Sequence, residues 1–215
     1  MKSYQKAFIE VAMESQALRF GEFALKSGRI SPYFFNAGLL YQGKALSVMA
    51  EAYARTILDQ KLVFDLVFGP AYKGIALAAL TASALYEKCG LDVPFAYNRK
   101  EKKTHGEGGQ LVGAPLQGKR VLVVDDVITA GTAVREVVGM LQAEGALFSG
   151  VIVGLDRQER GQSPLSAIQE IRQEFGVPVA SIIRLEDIVA HLEEARLEGQ
   201  RESLRSYQKQ YGVMA

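Results

Sequence analysis

The distribution of hydrophobic and polar residues changes character near residue 64. From there on, short apolar runs alternate with segments of helical periodicity. The runs are FDLVFG, VPFAYN, RVLVVDD, SGVIVGLD and VPVASIIRL, and the helical patterns include KGIALAALTASALYEK, AVREVVGMLQAEG and SPLSAIQEIRQEFG. Near-continuous apolar strands that alternate with helices are typical of a parallel sheet covered on both faces. We therefore predict an α/β fold with a central parallel sheet flanked by helices.

The first 62 residues follow other patterns. Apolar residues between positions 8 and 13 recur at helical spacing, which predicts an amphipathic helix with Ser3 as its cap. The stretch LRFGEFALKSGRISPYFFNAG predicts short antiparallel strands, and helical periodicity returns in GKALSVMAEAYARTILDQ. Since no repeat and no linker divides the chain, we expect one domain over residues 1–215. Its N-terminal region lies at about 1–62, its core sheet at about 63–185 and its C-terminal helices at about 186–215.

Composition narrows the classes of function. A formal net charge of +1 argues against a general nucleic-acid surface, so any cationic function must come from local clusters. The single cysteine, Cys89, cannot form an internal disulfide, which favours a reducing compartment. The N-terminus lacks the apolar centre of a signal peptide, and no apolar run reaches membrane-spanning length. We therefore expect a cytoplasmic protein.

Two adjacent carboxylates stand where a buried strand should end. Asp125 and Asp126 follow the apolar run VLVV, and Thr129–Thr132 then lead into the next helix. Ligands bind beyond the carboxyl ends of parallel strands, and a helix N-terminus with free N–H groups attracts phosphate. The carboxylates would repel a phosphate, so they should bind sugar hydroxyls or a metal ion. Alternatively, Asp126 and Thr129 simply cap the helix and Asp125 is solvated, but the whole combination favours a ligand site.

A second candidate follows the strand FDLVFG. Tyr72 and Lys73 come after a Gly-Pro turn and before a helix, a place that suits a pyrophosphate. The alternative is a plain strand–helix turn with a surface lysine.

A cluster of cations precedes a glycine-rich segment. Arg99, Lys100, Lys103 and His105 lie at or near the start of residues 100–118, which contain five glycines and no periodic pattern. This segment predicts a long loop without regular structure. It is either a solvated charge run or a basic lid that closes over a polyanion and excludes water.

The remaining candidates suit a flat anionic ring. Lys26 precedes the aromatic pair Phe34 and Phe35, of which at least one is expected in the core while an apolar face remains for the ring. Arg157 leaves the strand SGVIVGLD, where a guanidinium can bind a carboxylate through two hydrogen bonds. The alternative for Arg157 is a surface ion pair with its acidic neighbours.

The stretch VLVVDDVITAGTA resembles the 5-phosphoribosyl 1-diphosphate (PRPP) motif of the type I phosphoribosyltransferases. Nearly the whole chain is similar to the bacterial branch of that family that acts on orotate, except for the tail after about His191, which carries no motif. The resemblance implies that the N-terminal region forms a small hood over the core sheet. It implies PRPP contacts from Lys26, Tyr72, Lys73, Arg99, Lys100, Lys103, His105, Asp125, Asp126, Val127, Ile128, Thr129, Ala130, Gly131, Thr132 and Ala133.

The resemblance also implies a reaction. It is the transfer of ribose 5-phosphate from PRPP to orotate in UMP biosynthesis, with Mg²⁺ held mainly through PRPP and water and with no direct protein ligand. Orotate contacts would come from Phe34, Phe35, Thr129 and Arg157, and catalytic contributions from Asp125, Asp126, Lys103 and His105. Arg99, Lys103 and His105 would reach the PRPP of a neighbouring subunit, which makes the enzyme a homodimer without nucleic-acid or membrane partners. Two alternatives are a phosphoribosyltransferase for another nucleobase and a PRPP-sensing regulator of the same fold.

Overall fold

Strands and helices alternate through most of the chain. The computed structural model describes residues 1–25, 27–103, 109–161 and 163–213, with only the backbone at 102, 103 and 109. The strands in these residues are β1 (Leu18–Ala24), β2 (Ile30–Phe35), β3 (Leu66–Gly69), β4 (Phe95–Lys103), β5 (Gly109–Gly113), β6 (Arg120–Val127), β7 (Leu147–Asp156) and β8 (Val179–Arg184). The helices are α1 (Ser3–Glu14), α2 (Gly43–Asp59), α3 (Lys73–Cys89), α4 (Thr132–Ala143), α5 (Ala167–Phe175), α6 (Leu185–Glu194) and α7 (Glu198–Tyr211), with a short 3-10 helix at Ala37–Leu39.

Six of these strands form one sheet in the order β5-β4-β3-β6-β7-β8. Neighbours from β4 to β8 are parallel, and only β5 runs antiparallel, against β4. The prediction of an α/β fold with a parallel central sheet flanked by helices is therefore confirmed, with one antiparallel edge strand added.

The added strand corrects one prediction. Residues 100–118 do not form a continuous loop, because β4 extends to Lys103 and β5 occupies 109–113. Gly113 has a φ of +103°, and a Cβ atom there would lie 2.5 Å from the carbonyl oxygen of Phe95. The glycines that suggested a loop thus include one that lets the edge strand β5 approach β4 closely.

Side chains of the sheet alternate between two apolar cores. Leu122 and Val124 point into one core, with α1, α2, α3, α6 and α7, whereas Val121 and Val123 point into the other, with α4 and α5. A strand buried on both faces must be apolar at every position, which explains the continuous runs in the sequence. In the described residues, no helix is both long and apolar enough to cross a membrane.

The N-terminal region builds a separate hairpin. β1 and β2 pair antiparallel, as predicted, with an irregularity between Phe20 and Phe23. The proposed cap of α1 is wrong, because Ser3 is the first helical residue and Lys2 occupies the cap position. The hairpin packs against α7 through an edge-on contact of Tyr33 and Tyr207, whose ring centroids are 6.4 Å apart. The tail without a motif therefore joins the hairpin to the body of the protein.

Candidate active site

The two adjacent carboxylates lie at the carboxyl end of the central strand β6. Asp125 Oδ1 accepts a hydrogen bond from the backbone N–H of Asp126 at 2.8 Å, and Asp126 Oδ1 accepts one from Val127 at 2.9 Å. Asp126 Oδ2 accepts a third hydrogen bond, from Lys73 Nζ at 2.8 Å. The alternative in which Asp126 caps the next helix is wrong, since the cap of α4 is Gly131 and has no side-chain hydrogen bond.

The carboxyl group of Asp125 is desolvated and lies next to the charge of Asp126. Burial raises the pKa of its carboxyl to about 6, and the neighbouring charge of Asp126 adds to this effect. Its backbone carbonyl accepts a hydrogen bond from the buried hydroxyl of Tyr53 at 2.8 Å. A desolvated carboxylate at the end of a strand is costly for the fold, which is typical of a functional site rather than of a structural one.

The loop after the aspartates is shaped for a phosphate. Thr129 and Ala130 are exposed, and Gly131 adopts a left-handed φ of +73° directly before α4. The first N–H groups of α4 have no acceptor within the helix, so they are available to an anion. Val127 and Ile128, by contrast, pack their side chains against the two apolar cores, so these residues offer a ligand mainly their backbone.

The turn between β3 and α3 approaches the aspartates closely. A Cβ atom on Gly69 would lie 2.0 Å from the carbonyl oxygen of Gly74, so only glycine permits this tight turn. The turn sets Lys73 at the first position of α3, where its ammonium group reaches Asp126. Lys73 is therefore more than a lysine on a plain turn: it connects the predicted pyrophosphate site to the predicted ribose site.

Tyr72 and Lys100 continue the cluster of Lys73 and Asp126 toward β4. The ammonium group of Lys100 lies 4.9 Å from the centre of the exposed ring of Tyr72, a cation–π contact. Arg99 precedes Lys100 on β4 and is half-buried. Three other predicted residues fall outside this description: Lys26 and His105 lie outside the described residues, and so does the side chain of Lys103.

Arg157 lies on the other side of the aspartates. β6 and β7 are paired in parallel with Val127 opposite Leu155, so Thr129 and Arg157 follow neighbouring strands at the same sheet edge. Arg157 Nη2 lies 2.7 Å from Glu159 Oε1, and the two side chains are only 14% and 12% exposed. Arg157 thus forms the predicted ion pair with an acidic neighbour, but the pair is largely buried rather than at the surface.

The aromatic pair of β2 divides between two environments. Phe35 is 7% exposed and its ring lies 6.2 Å from that of Phe8, so it belongs to the core. Phe34 alternates to the other face of the hairpin, where its ring lies 5.5 Å from that of Phe23 and 5.6 Å from the guanidinium of Arg19. The expectation that one of the pair is a core residue is confirmed for Phe35.

Three residues that support the site carry no signal in their local sequence. Asn98 is buried on β4, and its Oδ1 accepts the backbone N–H of Ala71 at 2.9 Å, which fixes the turn before Lys73. Arg135 donates to the carbonyl of Ala130 at 2.9 Å and, through Nε, to the carboxylate of Glu174 on α5 at 2.8 Å. It ties the phosphate loop to the body of the protein.

The third supporting residue is Tyr53 on α2, which holds the end of β6. A Cβ atom on Gly154 would lie 3.2 Å from the Tyr53 hydroxyl and 3.2 Å from the Asp126 carbonyl, so glycine leaves room for this contact. A buried tyrosine needs a partner for its hydroxyl, and that is the one general signal that could have marked Tyr53.

Carboxylates, a basic turn and a helix start thus meet at one edge of a mostly parallel sheet, which defines the class: an α/β protein that binds a phosphorylated ligand with sugar-like hydroxyls. The phosphoribosyl transferase domain family matches residues 38–191. Orotate phosphoribosyltransferases of Saccharophagus degradans and Pseudomonas aeruginosa are 56% and 55% identical, each over 99% of this chain and 100% of the relative. The crystal structure of orotate phosphoribosyltransferase from Francisella tularensis has a TM-score of 0.88 and 43% identity, over 96% of this chain and 100% of that chain.

The chain belongs to the phosphoribosyltransferase family and, within it, to the orotate phosphoribosyltransferases. It is an enzyme, a transferase of pentosyl groups. The fold alone extends further, since adenine phosphoribosyltransferase from Thermoanaerobacter pseudethanolicus, at 17% identity, still gives a TM-score of 0.53.

Proposed function

We propose that this protein transfers ribose 5-phosphate from PRPP to N1 of orotate in UMP biosynthesis, with release of diphosphate. The observation that carries the proposal is the connected group formed by Asp126, Lys73, Tyr72 and Lys100 beside the half-buried Arg157. The group offers carboxylates for a sugar, cations for a pyrophosphate and a guanidinium for a carboxylated base. Such a combination suits both substrates of the family reaction.

Three neighbouring groups of residues at this edge of the sheet bind the three parts of PRPP. Thr129–Ala133 and the start of α4 receive the 5′-phosphate, because small residues let the backbone approach and the first N–H groups are unpaired. Asp125 and Asp126 accept hydrogen bonds from the ribose hydroxyls. Lys73, with Lys100 nearby, neutralises the pyrophosphate, and in exchange its bond to Asp126 is released for the sugar.

The reaction breaks the bond between C1 of the ribose and the pyrophosphate oxygen, and it forms the bond from C1 to N1 of orotate. Positive charge grows on the ribose while negative charge gathers on the leaving group. Asp125 and Asp126 stabilise the former, and Lys73 and Lys100 stabilise the latter. Orotate is already an anion, so the protein needs no strong general base.

The residues at this edge fit a magnesium ion held chiefly by the substrate. In the described part of the chain no three His, Cys, Asp or Glu side chains converge as a metal cage. Mg²⁺ keeps several waters and binds readily through substrate phosphates, so PRPP and water would hold it while Asp125 and Asp126 bind the ribose hydroxyls. When bound, the ion offsets negative charge on the pyrophosphate.

Orotate binds between Thr129 and Arg157. Arg157 binds the orotate carboxylate, and the backbone of Phe34 and Phe35 with Lys26 borders the ring. The carboxylate is the group that distinguishes orotate from uracil, so Arg157 should determine which base is accepted.

We place Arg99, Lys103 and His105 against the PRPP of a neighbouring subunit, so that the active enzyme is a homodimer. Mixed dimers test this arrangement: one subunit carries Lys103→Ala and the other carries Asp125→Asn with Asp126→Asn. One site of such a dimer combines an intact lid with intact aspartates, so activity should return to a fraction of the wild-type rate. If mixing restores no activity, the site is not shared.

A panel of bases tests the function itself. Orotate, uracil, adenine and guanine are each incubated with PRPP and Mg²⁺, and consumption of the base is followed by absorbance. We expect turnover with orotate, and a rise in the orotate KM of roughly 10- to 100-fold for Arg157→Ala, as expected for the loss of a charge-assisted hydrogen bond. Preferred turnover of another base, or PRPP binding without turnover of any base, would refute the proposal.

A further inference from the structure

Arg157 is held on one edge by groups of its own chain. Its Nε donates to Glu159 Oε1 at 2.9 Å, and its Nη2 lies 2.7 Å from the same oxygen. Nη2 also donates to Ser31 Oγ at 3.3 Å, and the guanidinium lies 4.5 Å from the ring centre of Tyr33. Among the residues that the structure describes, Nη1 has no hydrogen-bond acceptor, so it is the end of the fork that remains for a ligand.

Tyr33 holds both members of this ion pair. Its ring lies under the Arg157 guanidinium, while its hydroxyl donates to Glu159 Oε1 at 3.2 Å. Glu159 Oε1 therefore receives hydrogen bonds from two side chains, which leaves little freedom for the carboxylate to turn. Tyr33 itself is fully buried on β2, between the sheet edge and α7.

Helix α7 closes the outer side of this cluster. Tyr207 is 5% exposed and meets the ring of Tyr33 edge-on at 86°. The Tyr207 hydroxyl is buried and faces the Arg157–Glu159 pair, but it makes no hydrogen bond of normal geometry in the described residues, so its main contribution is the contact of its ring. Tyr211 continues the aromatic layer, with its ring centre 5.0 Å from that of Tyr207.

The residues after α7 also fasten the loop that carries Arg157 and Glu159. The N–H of Arg160 donates to the carbonyl of Tyr211 at 2.9 Å, and the N–H of Val213 donates to the carbonyl of Gln158 at 2.9 Å. Glu159 forms an antiparallel bridge with Gly212. The residues at the end of α7 and just after it therefore pair, in the manner of a β-strand, with the loop that carries Arg157.

We propose that Glu159, Tyr33 and Tyr207 are positioning residues for Arg157, and that the C-terminal segment 207–213 is the outer wall of the acceptor-base site. Glu159 occupies the Nε edge of the guanidinium, and Tyr33 and Tyr207 fix its plane, so that Nη1 faces the carboxylate of the base. A guanidinium oriented before binding loses less conformational freedom when the ligand arrives. The inference rests on the proposed role of Arg157 in binding orotate.

Glu159 provides the first test. In Glu159→Ala the guanidinium loses its fixed edge, and we expect the orotate KM to rise about tenfold while the PRPP KM changes less than about twofold. Glu159→Gln keeps an oxygen that accepts the same hydrogen bonds, so it should restore the orotate KM to within about threefold of wild type. An unchanged or lower orotate KM in Glu159→Ala would overturn the inference, because Glu159 would then compete with the ligand or be irrelevant to it.

Tyr207 tests the contribution of the C-terminal segment, with a control on the same helix. Leu204 is completely buried on α7 in the apolar core. Leu204→Ala should lower the unfolding midpoint in urea and leave the orotate KM unchanged, whereas Tyr207→Ala should raise the orotate KM several-fold. Tyr207→Phe keeps the ring and should behave like wild type. If Tyr207→Ala and Leu204→Ala change stability alone, α7 has only a structural role and the inference fails.

Arg157→Ala separates this inference from the function on which it rests. If Arg157→Ala leaves the orotate KM unchanged, the proposed function of Arg157 fails and the positioning role fails with it. If Arg157→Ala raises the orotate KM but Glu159→Ala does not, only the positioning role is refuted.

Discussion

Replacing Asp125 with Asn should stabilise the fold near neutral pH and at the same time abolish turnover. Asp125 is largely buried, and burial together with the charge of Asp126 raises its pKa to about 6. Its Oδ1 accepts the backbone N–H of Asp126, a hydrogen bond that an asparagine oxygen can also accept. The substitution therefore removes a buried charge while it keeps the local geometry.

The sign of the effect follows from which state loses its proton first. In the unfolded chain the carboxyl ionises near its ordinary pKa of 3.8, whereas in the folded protein Asp125 keeps its proton up to about pH 6. As the pH rises through this window, ionisation therefore lowers the free energy of unfolding of the wild type. The difference between the two pKa values corresponds to about 3 kcal/mol above pH 7. The variant with asparagine does not lose this free energy of unfolding, because the asparagine side chain does not ionise.

Urea denaturation between pH 4 and pH 8 measures the effect. The free energy of unfolding of Asp125→Asn should match the wild type near pH 4 and exceed it by up to about 3 kcal/mol above pH 7. Asp65→Asn is the control of opposite sign: Arg120 holds the pKa of Asp65 below its ordinary value, so that variant should lose stability above about pH 4. A pH-independent difference between Asp125→Asn and wild type would refute the assignment of a desolvated carboxylate.

Three further substitutions probe how the site is held. Lys73→Ala removes the cation bonded to Asp126, and the PRPP KM in steady-state kinetics should rise roughly 10- to 100-fold while the orotate KM changes little. Arg135→Ala releases the carbonyl of Ala130; the PRPP KM should rise, and Arg135→Lys should not restore it, because a lysine cannot span both of its partners. Tyr53→Phe leaves the carbonyl at the end of β6 without its donor and should cost roughly 1–3 kcal/mol in urea denaturation.

The parallel strands could be predicted because burial on both faces leaves its mark on every residue. The run VLVV before Asp125 has no polar position, and the structure places it at the centre of the sheet. β5 could not be predicted in the same way. It is a short edge strand rich in glycine, and its pairing with β4 depends on a close backbone approach at Gly113 rather than on a periodic pattern.

The candidate phosphate loop can be proposed from the sequence because its parts are contiguous. Asp125, Asp126 and the following turn act over a few residues, so their spacing alone indicates their chemistry. Asn98, Tyr53 and Arg135 act through contacts with residues elsewhere in the chain, and nothing in their local sequence shows this. The C-terminal segment escaped prediction for the same reason, since its relation to Arg157 exists only after the hairpin and α7 have packed together.

The proposed function requires that the two aspartates and the loop behind them form the PRPP site that performs the transfer. The most direct measurement is the turnover number of Asp125→Asn combined with Asp126→Asn, followed as orotate absorbance at saturating PRPP and Mg²⁺, with urea denaturation as a check on folding. We expect a loss of about 1,000-fold or more, as for the removal of the main electrostatic groups of an active site, in a protein that still unfolds cooperatively. A folded double variant with wild-type turnover would show that the two aspartates are not part of the site that performs the transfer.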